Sequence, residues 1–303
     1  MFVLAHLSDP HLGPLPKARM VDLASKRVLG YINWQRTRRS VHRADVLEVV
    51  TQDVKAQAPD HIAVTGDVVN IALAAEFTQA RGWLAGLGAP HDVTLVPGNH
   101  DAYVRSALRH HGLHWGDYMR ADDGRTVDGE VAFPFVRRRG LVALIGLSSA
   151  IPTAPFMATG RLGPAQLGRL AAILAALGRE RLFRVVLIHH PPLSTPAHRF
   201  KWLADAQDLR ALLAQAGAEL VIHGHDHVHS LVWLDGPGTR IPALGVPSAS
   251  AAPTRRKGHR RQHAAYNLYR IDGCPGAWSC EAISRGYHAG TERIVELERR
   301  KLA

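Results

Sequence analysis

Five short motifs rich in aspartate, asparagine and histidine follow one another along this chain of 303 residues. They are Asp9-Pro10-His11, Gly66-Asp67, Gly98-Asn99-His100-Asp101, His189-His190-Pro191-Pro192 and Gly224-His225-Asp226-His227. Together they supply carboxylates, an amide and imidazoles, which are ligands that Mn²⁺, Fe²⁺ and Zn²⁺ accept in mixed sets. The series therefore predicts two adjacent divalent ions, an arrangement suited to displacement reactions at phosphate esters.

The spacing within the motifs suits a shared centre. Asp9 and His11 are separated by one residue, so a sharp loop can direct both side chains to one ion. Asp67 can bridge two ions through its carboxylate oxygens, which would hold the ions about 3.5–4 Å apart. His225 and His227 also alternate, so a bend could send one imidazole to each ion. Most of these motifs alone are typical of ordinary turns, and Gly98-Asn99-His100-Asp101 is more specific. The ordered set is what indicates a metal centre.

Apolar runs of strand length end just before most of these motifs. The runs are nearly continuous, as in strands that are buried on both faces. They cover residues 2–7, 61–65, 93–96, 141–147, 185–188 and 220–222. Helical patterns lie at about 41–58, 74–88, 103–111, 164–178 and 205–216. This alternation predicts an α/β fold, in which ligands bind beyond the carboxyl ends of the strands.

Composition and charge limit the possible classes of protein. Apolar residues make up 46% and charged residues 21% of the chain, as in ordinary globular proteins. Because one site must collect motifs spread over residues 9–227, we expect a single domain over 1–290, followed by a helical tail over 291–303. The net charge of +11 favours anionic partners such as phosphorylated metabolites, nucleic acid or anionic lipid, although a solvated Arg-rich surface would give the same charge.

Features that would indicate export or membrane insertion are missing from the sequence pattern. The apolar run after Met1 has no basic region before it and no small-residue cleavage site after it, so we interpret it as a strand and not as a signal peptide. No apolar stretch approaches the roughly 18–20 residues of a transmembrane helix. Cys274 and Cys280 could pair, but reduced thiols are expected. The expected location is cytoplasmic, with peripheral contact to the inner membrane as an alternative.

Two basic stretches interrupt the alternation of strands and helices. Residues 14–43 carry eight Lys and Arg residues against one acid, Asp22, and their apolar residues, including Trp34, recur partly at helical spacing. This insertion is interpreted as a lid, a membrane contact or a dimer interface. The second stretch, 254–261, could follow a nucleic-acid backbone. It lacks the interleaved aromatic residues that stack on bases, so a nucleic-acid substrate is not favoured.

The ordered series Asp-x-His, Gly-Asp, Gly-Asn-His-Asp, His-x-Pro and Gly-His-x-His resembles that of the calcineurin-like metallophosphoesterases over roughly residues 1–250. The resemblance implies a four-layer α/β/β/α sandwich of two mixed sheets. The element pattern by itself is equally compatible with one doubly wound sheet. The segment from Gly160 to Leu167 also resembles the branch that acts on cyclic nucleotides and glycerophosphodiesters.

The resemblance also implies roles for individual residues. The implied ligands are Asp9, His11 and His227 for one ion, Asn99, His189 and His225 for the second, and Asp67 as the bridge. His189 is preferred to His190 because the family's ligand stands two residues before the proline. His100 matches the histidine that contacts the phosphate and the leaving-group oxygen. Asp101 matches the residue that orients this histidine.

The expected activity is metal-dependent hydrolysis of a phosphodiester by a hydroxide that bridges the two ions. The family's Ser/Thr protein phosphatases carry Gly-Asn-His-Glu in the third motif, and Asp101 here weighs against that branch. One alternative is a pyrophosphatase for a nucleotide-linked lipid such as UDP-2,3-diacylglucosamine, with the 14–43 insertion as its lid. A nuclease is a weaker alternative. A non-catalytic scaffold is weaker still, because such a protein is expected to lack a ligand and this chain has all of them.

Overall fold

The computed structural model describes residues 1–124, 126–127, 130–193, 200–253 and 262–303. The strands in these residues are β1 (Phe2–Leu7), β2 (His61–Val64), β3 (Val93–Leu95), β4 (Thr126–Val127), β5 (Glu130–Val131), β6 (Phe135–Arg139), β7 (Val142–Gly146), β8 (Phe183–Leu187), β9 (Leu220–His223), β10 (Ser230–Leu234), β11 (Ile241–Gly245), β12 (Ala265–Cys274), β13 (Ala277–His288) and β14 (Arg293–Lys301). The basic stretch predicted at 254–261 lies outside the described residues.

The α-helices separate most of the parallel strands, as the sequence predicts. They are α1 (Arg27–Asn33), α2 (Arg39–Val41), α3 (Ala44–Ala56), α4 (Ala74–Leu87), α5 (Leu108–His110), α6 (Pro164–Arg179) and α7 (Ala206–Ala216). Short 3-10 or π turns occupy Met20–Leu23, Trp34–Arg38, Arg105–Ala107, His111–Trp115 and Gly116–Tyr118. The helix predicted at 103–111 is therefore a series of single turns. None of the described helices combines the length and apolar character needed to span a bilayer.

The strands form two mixed six-stranded sheets. The first has the order β14-β13-β12-β1-β2-β3. In it β1, β2 and β3 are parallel to one another, and each of the pairs β1–β12, β12–β13 and β13–β14 is antiparallel. The second has the order β10-β11-β9-β8-β7-β6, with parallel strands inside and an antiparallel strand at each edge. Strands β4 and β5 pair separately.

The sheets pack face to face, and helices cover both outer faces. Along β8, Val185 and Leu187 belong to the core that includes Leu4 of β1, α3 and α4, whereas Val186 packs with α6 and α7. This alternation follows from the two-residue period of a strand that is buried on both faces. The layers are thus α3 and α4, the first sheet, the second sheet, and α6 and α7. The expected four-layer sandwich of mixed sheets is confirmed.

The C-terminal segment is a strand, and the prediction of a helical tail was wrong. Strand β14 pairs antiparallel with β13 and forms an edge of the first sheet. Its residues are nearly all exposed, and most are charged. Charged side chains are common on edge strands, where they discourage pairing with other chains. Hydrogen bonding to β13 outweighed a local pattern that also suits a helix.

The 14–43 insertion lies across loops that follow β2 and β7. Trp34 anchors it, with only 2% of its surface exposed. Arg27 donates hydrogen bonds to the carbonyl oxygens of Ile71 and Ala72, beyond β2. Lys26 Nζ donates to Thr153 O, beyond β7, at 2.7 Å. The insertion is therefore fixed against both sheets at the edge where the five motifs lie.

Candidate metal centre

The five motifs converge because each follows a strand of the parallel parts of the two sheets. Strands β1, β2 and β3 direct the first three motifs to one edge, and β8 and β9 direct the last two to the facing edge. Backbone hydrogen bonds join the loops, from Asp9 N to Gly66 O at 3.0 Å and from His11 N to Asp67 O at 3.1 Å. His225 N donates to Asp9 Oδ2 at 3.0 Å, which connects the first and fifth motifs.

One group of predicted ligands consists of Asp9, His11, Asp67 and His227, whose ligand atoms all lie within 4.8 Å of one another. His227 Nε2 is 3.0 Å from Asp9 Oδ1 and 3.4 Å from His11 Nε2. His11 Nε2 is 3.8 Å from Asp67 Oδ2. Carboxylates and imidazoles this close in a buried site are costly without a compensating charge, and a divalent ion supplies that charge.

The second group lies on the other side of Asp67. His189 Nε2 is 3.2 Å from Asn99 Oδ1 and 3.2 Å from His225 Nδ1. The same nitrogen is 3.5 Å from Asp67 Oδ2. All seven predicted ligands are thus brought together, and one oxygen of Asp67 faces both groups.

Hydrogen bonds to main-chain oxygens orient the imidazoles of the second group. His189 Nδ1 donates to Thr65 O at 2.6 Å, and His225 Nε2 donates to Lys201 O at 2.9 Å. In the neutral form of each ring, the other nitrogen carries the lone pair and faces the centre. This partnering of the outer nitrogen is common among metal-binding histidines.

His190 lies beside these rings but offers no comparable nitrogen. Its Nδ1 is 2.8 Å from Ser149 Oγ, and its Nε2 donates to Ala158 O at 3.1 Å. One ring nitrogen of His190 lies within 4.8 Å of a ring nitrogen of His189 and of His225. Because both of its nitrogens already have protein partners, His190 fits a role in packing against His225 better than a role as a ligand.

Burial and mutual charge shift the pKa values of these groups. Burial, and then the charge of Arg38, lowers the pKa of His100 to about 3 and that of His11 well below its usual value. Burial also opposes ionisation of Asp67 and His189, but their mutual attraction prevails, lowering the pKa of Asp67 and raising that of His189. Without a metal this attraction favours the charged forms of both groups, so a metal that binds His189 competes with the proton on that ring.

Backbone strain is concentrated in the centre. Asp9, His11, Asp67, His225 and His227 all have positive φ, between 40° and 71°. They are half of the ten non-glycine residues with positive φ in the described part of the chain. Each such residue costs about 1–2 kcal/mol. Conformations of this kind cluster where the chain must direct side chains to a functional site.

This strain predicts an unusual order of stability at His227, whose φ is 56°. We expect metal-free His227→Gly to be more stable to unfolding than His227→Ala by about 1 kcal/mol. Glycine lacks the Cβ that approaches the following carbonyl oxygen too closely at positive φ. In the middle of a helix or strand, alanine is favoured over glycine by about 0.5–1 kcal/mol. Urea denaturation would measure the difference. The same pair of substitutions at the exposed Gln52, within α3, should show the ordinary order, and that order at residue 227 would contradict the strain argument.

His100 lies against the centre, but Asp101 does not orient it, and that prediction was wrong. The His100 main-chain N donates to Asp67 Oδ1 at 2.7 Å, and its Nδ1 donates to Asn70 O. The oxygens of Asp101 accept four main-chain N–H groups at 2.8–3.1 Å, those of Asp67, Val68, Val69 and Gly98. Asp101 therefore joins the loops that carry Asp67 and Asn99, and the Asn70 carbonyl replaces it as the partner of His100.

Two further residues reach the centre from the end of the insertion. The Arg38 guanidinium is 2.8 Å from His11 Nε2 and 2.7 Å from His100 Nε2. The His42 ring lies 4.4 Å from the His11 ring, between centroids, and its Nδ1 is 2.9 Å from Ser250 Oγ. In the sequence, Arg38 is marked only as one cation of a basic stretch, and His42 was not among the predicted site residues. The signal available in the sequence was the four-residue spacing of these two basic side chains just before α3.

A cavity of about 380 Å³ opens above the centre. Four of the predicted ligands line it together with residues of the insertion. The ligands are Asp67, Asn99, His225 and His227, and the insertion residues include Asn33, Thr37 and Arg38. Ala158 and Lys201 also line the cavity. The insertion is therefore part of the cavity itself, and it can contact whatever molecule binds there.

The segment that resembles the diester branch has a structural role. Gln166 makes two hydrogen bonds of 2.9 Å with the main chain of Ser148. Asp205 accepts the N–H groups of Leu162 and Gly163. These contacts fix the start of α6, and they give no ground for choosing a diester substrate.

The four-layer fold and its paired clusters of Asp, Asn and His define the class of dinuclear metal hydrolases. The sequence matches the family model for calcineurin-like phosphoesterases over residues 2–229. The chain belongs to this family, whose members are metal-dependent hydrolases of phosphoric esters that use two divalent ions.

Two solved structures share the fold. A dimetal phosphatase from Danio rerio aligns with a TM-score of 0.67 and 12% identity, over 100% of this chain and 98% of that chain. A purple acid phosphatase from seeds of yellow lupin, Lupinus luteus, aligns with a TM-score of 0.60 and 10% identity, over 97% of this chain and 52% of its own length. At such low identity the similarity shows the fold alone. A comparison with curated proteins gave no significant match.

Proposed function

We propose that this protein hydrolyses a phosphodiester at a centre of two divalent ions. The proposed ligands are Asp9, His11 and His227 for the first ion, Asn99, His189 and His225 for the second, and Asp67 for both. The position of Asp67 carries the proposal, since its Oδ2 is 3.8 Å from His11 Nε2 and 3.5 Å from His189 Nε2. Oxygen and nitrogen donors without cysteine suit Mn²⁺, Fe or Zn²⁺.

The residues around the centre support this chemistry. When bound, two divalent ions neutralise charge on the phosphoryl oxygens and lower the pKa of an attacking water. Held by Asn70 O, His100 presents Nε2 to the cavity. The negative charge of a bound ester favours the protonated ring, which can then donate to the leaving oxygen. Asp101 contributes indirectly, because it holds the main chain of the loops that carry Asp67 and Asn99.

The preference for a diester rests on the third motif. Asp101 stands where the family's protein phosphatases carry glutamate. We expect manganese-reloaded protein to hydrolyse bis-p-nitrophenyl phosphate with at least about tenfold higher kcat/KM than p-nitrophenyl phosphate, a difference of about 1.4 kcal/mol in transition-state binding. Steady-state kinetics with both esters measures the ratio. A preference for the monoester would contradict the diester proposal and leave the family chemistry intact.

Asn99→Ala tests the proposed ligand set in the same assay. It should lower kcat/KM by at least about a hundredfold, because even residues that only support a ligand contribute ten- to a hundredfold. The matched control is Gln207→Ala, which removes an exposed amide from α7. Activity of Asn99→Ala equal to that of the control would contradict its assignment as a ligand.

A lipid-linked substrate is the second candidate, and exposed apolar side chains in the insertion and in the segments that carry the cavity residues Ala158 and Lys201 favour it. Met20 of the insertion is 86% exposed, and Phe156 is 88% exposed. Phe200 and Trp202 are 62% and 52% exposed, and they flank the cavity residue Lys201. Exposed apolar groups beside cations suit an acyl chain or a membrane surface.

The substrate panel separates the two candidates. Weak turnover of both nitrophenyl esters together with efficient cleavage of UDP-2,3-diacylglucosamine would replace the diester proposal by the pyrophosphatase. In that case Phe200→Ser should lower kcat/KM for the lipid substrate, whereas Leu297→Ser should not. Leu297 is a suitable control because it is similarly exposed, at 53%, but lies on β14.

A further inference from the structure

We infer that Arg38 is a phosphate-binding residue of this active site, supplied by the 14–43 insertion and separate from the five motifs. The inference rests on the proposed function and deepens it, because it names a side chain that receives the phosphoryl oxygens of the substrate. It is carried by the position of the guanidinium, which spans His11 and His100 at the wall of the cavity.

The guanidinium joins two imidazoles that have different proposed roles. One terminal nitrogen is 2.8 Å from Nε2 of His11, a proposed metal ligand. The other is 2.7 Å from Nε2 of His100, the proposed donor to the leaving group. The centroids of the two rings are 4.9 Å apart. A phosphoryl group that reaches both the proposed metal centre and His100 must therefore lie beside Arg38.

The fold holds Arg38 in this place. Trp34 lies four residues earlier, and its burial fixes the single turn from Trp34 to Arg38. Arg27 and Lys26 bind main-chain oxygens beyond β2 and β7. Because the backbone is already positioned, less conformational freedom is lost when the arginine side chain binds a ligand. Arg36 and Arg39, by contrast, are exposed.

The chemistry of the side chain fits a phosphoryl group. A guanidinium has a permanent positive charge, and its planar N–H groups match two oxygens of a phosphate. In this structure the two terminal guanidinium nitrogens lie over the imidazole rings, one of them 2.8–3.0 Å from both nitrogens of His11 and the other 2.7–3.3 Å from both nitrogens of His100. A charged phosphoryl oxygen is the stronger acceptor, so a bound ester can compete for the same donors.

The test measures binding of inorganic phosphate to manganese-loaded protein by calorimetry, with metal content determined on the same samples. Arg38→Ala is expected to weaken phosphate binding about ten- to a hundredfold, the usual range for a lost hydrogen bond to a charged group. Its manganese content should stay at the wild-type level. Arg38→Lys should recover part of the affinity, because lysine keeps the charge without the planar donors. The matched controls, Arg36→Ala and Arg39→Ala, should bind phosphate like wild type.

Three results would overturn the inference. They are unchanged phosphate affinity in Arg38→Ala, an equal loss of affinity in Arg36→Ala, and loss of manganese in Arg38→Ala, which would make Arg38 a support of the metal centre. The binding of inorganic phosphate is measured without turnover of any substrate. Wild-type protein that binds phosphate through Arg38 but cleaves none of the tested esters would therefore refute the proposed function and leave this inference in place.

Discussion

Replacing Asp67 by asparagine is expected to remove most of the bound metal and to lower kcat by more than about a thousandfold. The metal ions supply several kcal/mol of transition-state stabilisation. Asp67 Oδ2 lies 3.8 Å from His11 Nε2 and 3.5 Å from His189 Nε2, so it contributes negative charge to both halves of the proposed centre. Asparagine keeps the shape of the side chain but loses the charge and one acceptor oxygen.

Two measurements test this expectation together. Elemental analysis of protein dialysed against manganese gives the metal content, and steady-state kinetics gives kcat. Asp208→Asn is the matched control, because Asp208 is an exposed carboxylate on α7. Circular dichroism of the metal-free variants separates loss of metal from loss of fold. Retention of both ions by a folded Asp67→Asn protein would contradict the bridging assignment.

Replacing His100 by alanine is expected to lower kcat about a hundred- to ten-thousandfold, the usual contribution of a general acid. Metal binding should be nearly unchanged. The contact of His100 with Asp67 Oδ1 is made by its main-chain N at 2.7 Å, and alanine retains that N–H group. The hydrogen-bonding contacts of the imidazole itself are with Asn70 O and Arg38, which lie outside the proposed ligand set; its contact with the ligand His11 is edge-on packing of the two rings.

The nature of the leaving group provides the sharper readout. A nitrophenolate needs little protonation as it departs, whereas an alkoxide needs a proton. His100→Ala should therefore slow an alkyl phosphodiester more than a nitrophenyl diester. The exposed His91, replaced by alanine, is the control. An equal loss with both leaving groups would argue against proton donation, and loss of manganese would show that His100 supports the metal centre.

The sequence by itself determined the family and the positions of most strands and helices, because both depend on local patterns. An apolar run followed by Gly, Asp or His indicates a buried strand and the turn at its carboxyl end. Parallel strands bring such turns to one edge, so the order of runs and motifs alone predicts that Asp9, Asp67 and Asn99 lie near one another. The match over residues 2–229 confirms the family.

Pairing between distant segments was decided only by the tertiary structure. The alternation of elements was equally compatible with one doubly wound sheet. The described strands form two sheets because β12, β13 and β14 extend β1 to β3 on one side, with Phe2 opposite Ile271, while β6 to β11 pair among themselves. The segment Arg293–Lys301 is a strand because it forms hydrogen bonds with β13. The periodicity of the segment itself does not reveal that pairing.

The partners of individual side chains in the site were decided in the same way. Asp101 follows His100 in the sequence, yet it accepts main-chain N–H groups from residues 67–69 and 98. Arg38 reaches His11 and His100 because Trp34 is buried and Arg27 is bound beyond β2. A linear motif specifies which chemical groups are present and how far apart they are along the chain. Which of them touch depends on packing between segments that the motif does not contain.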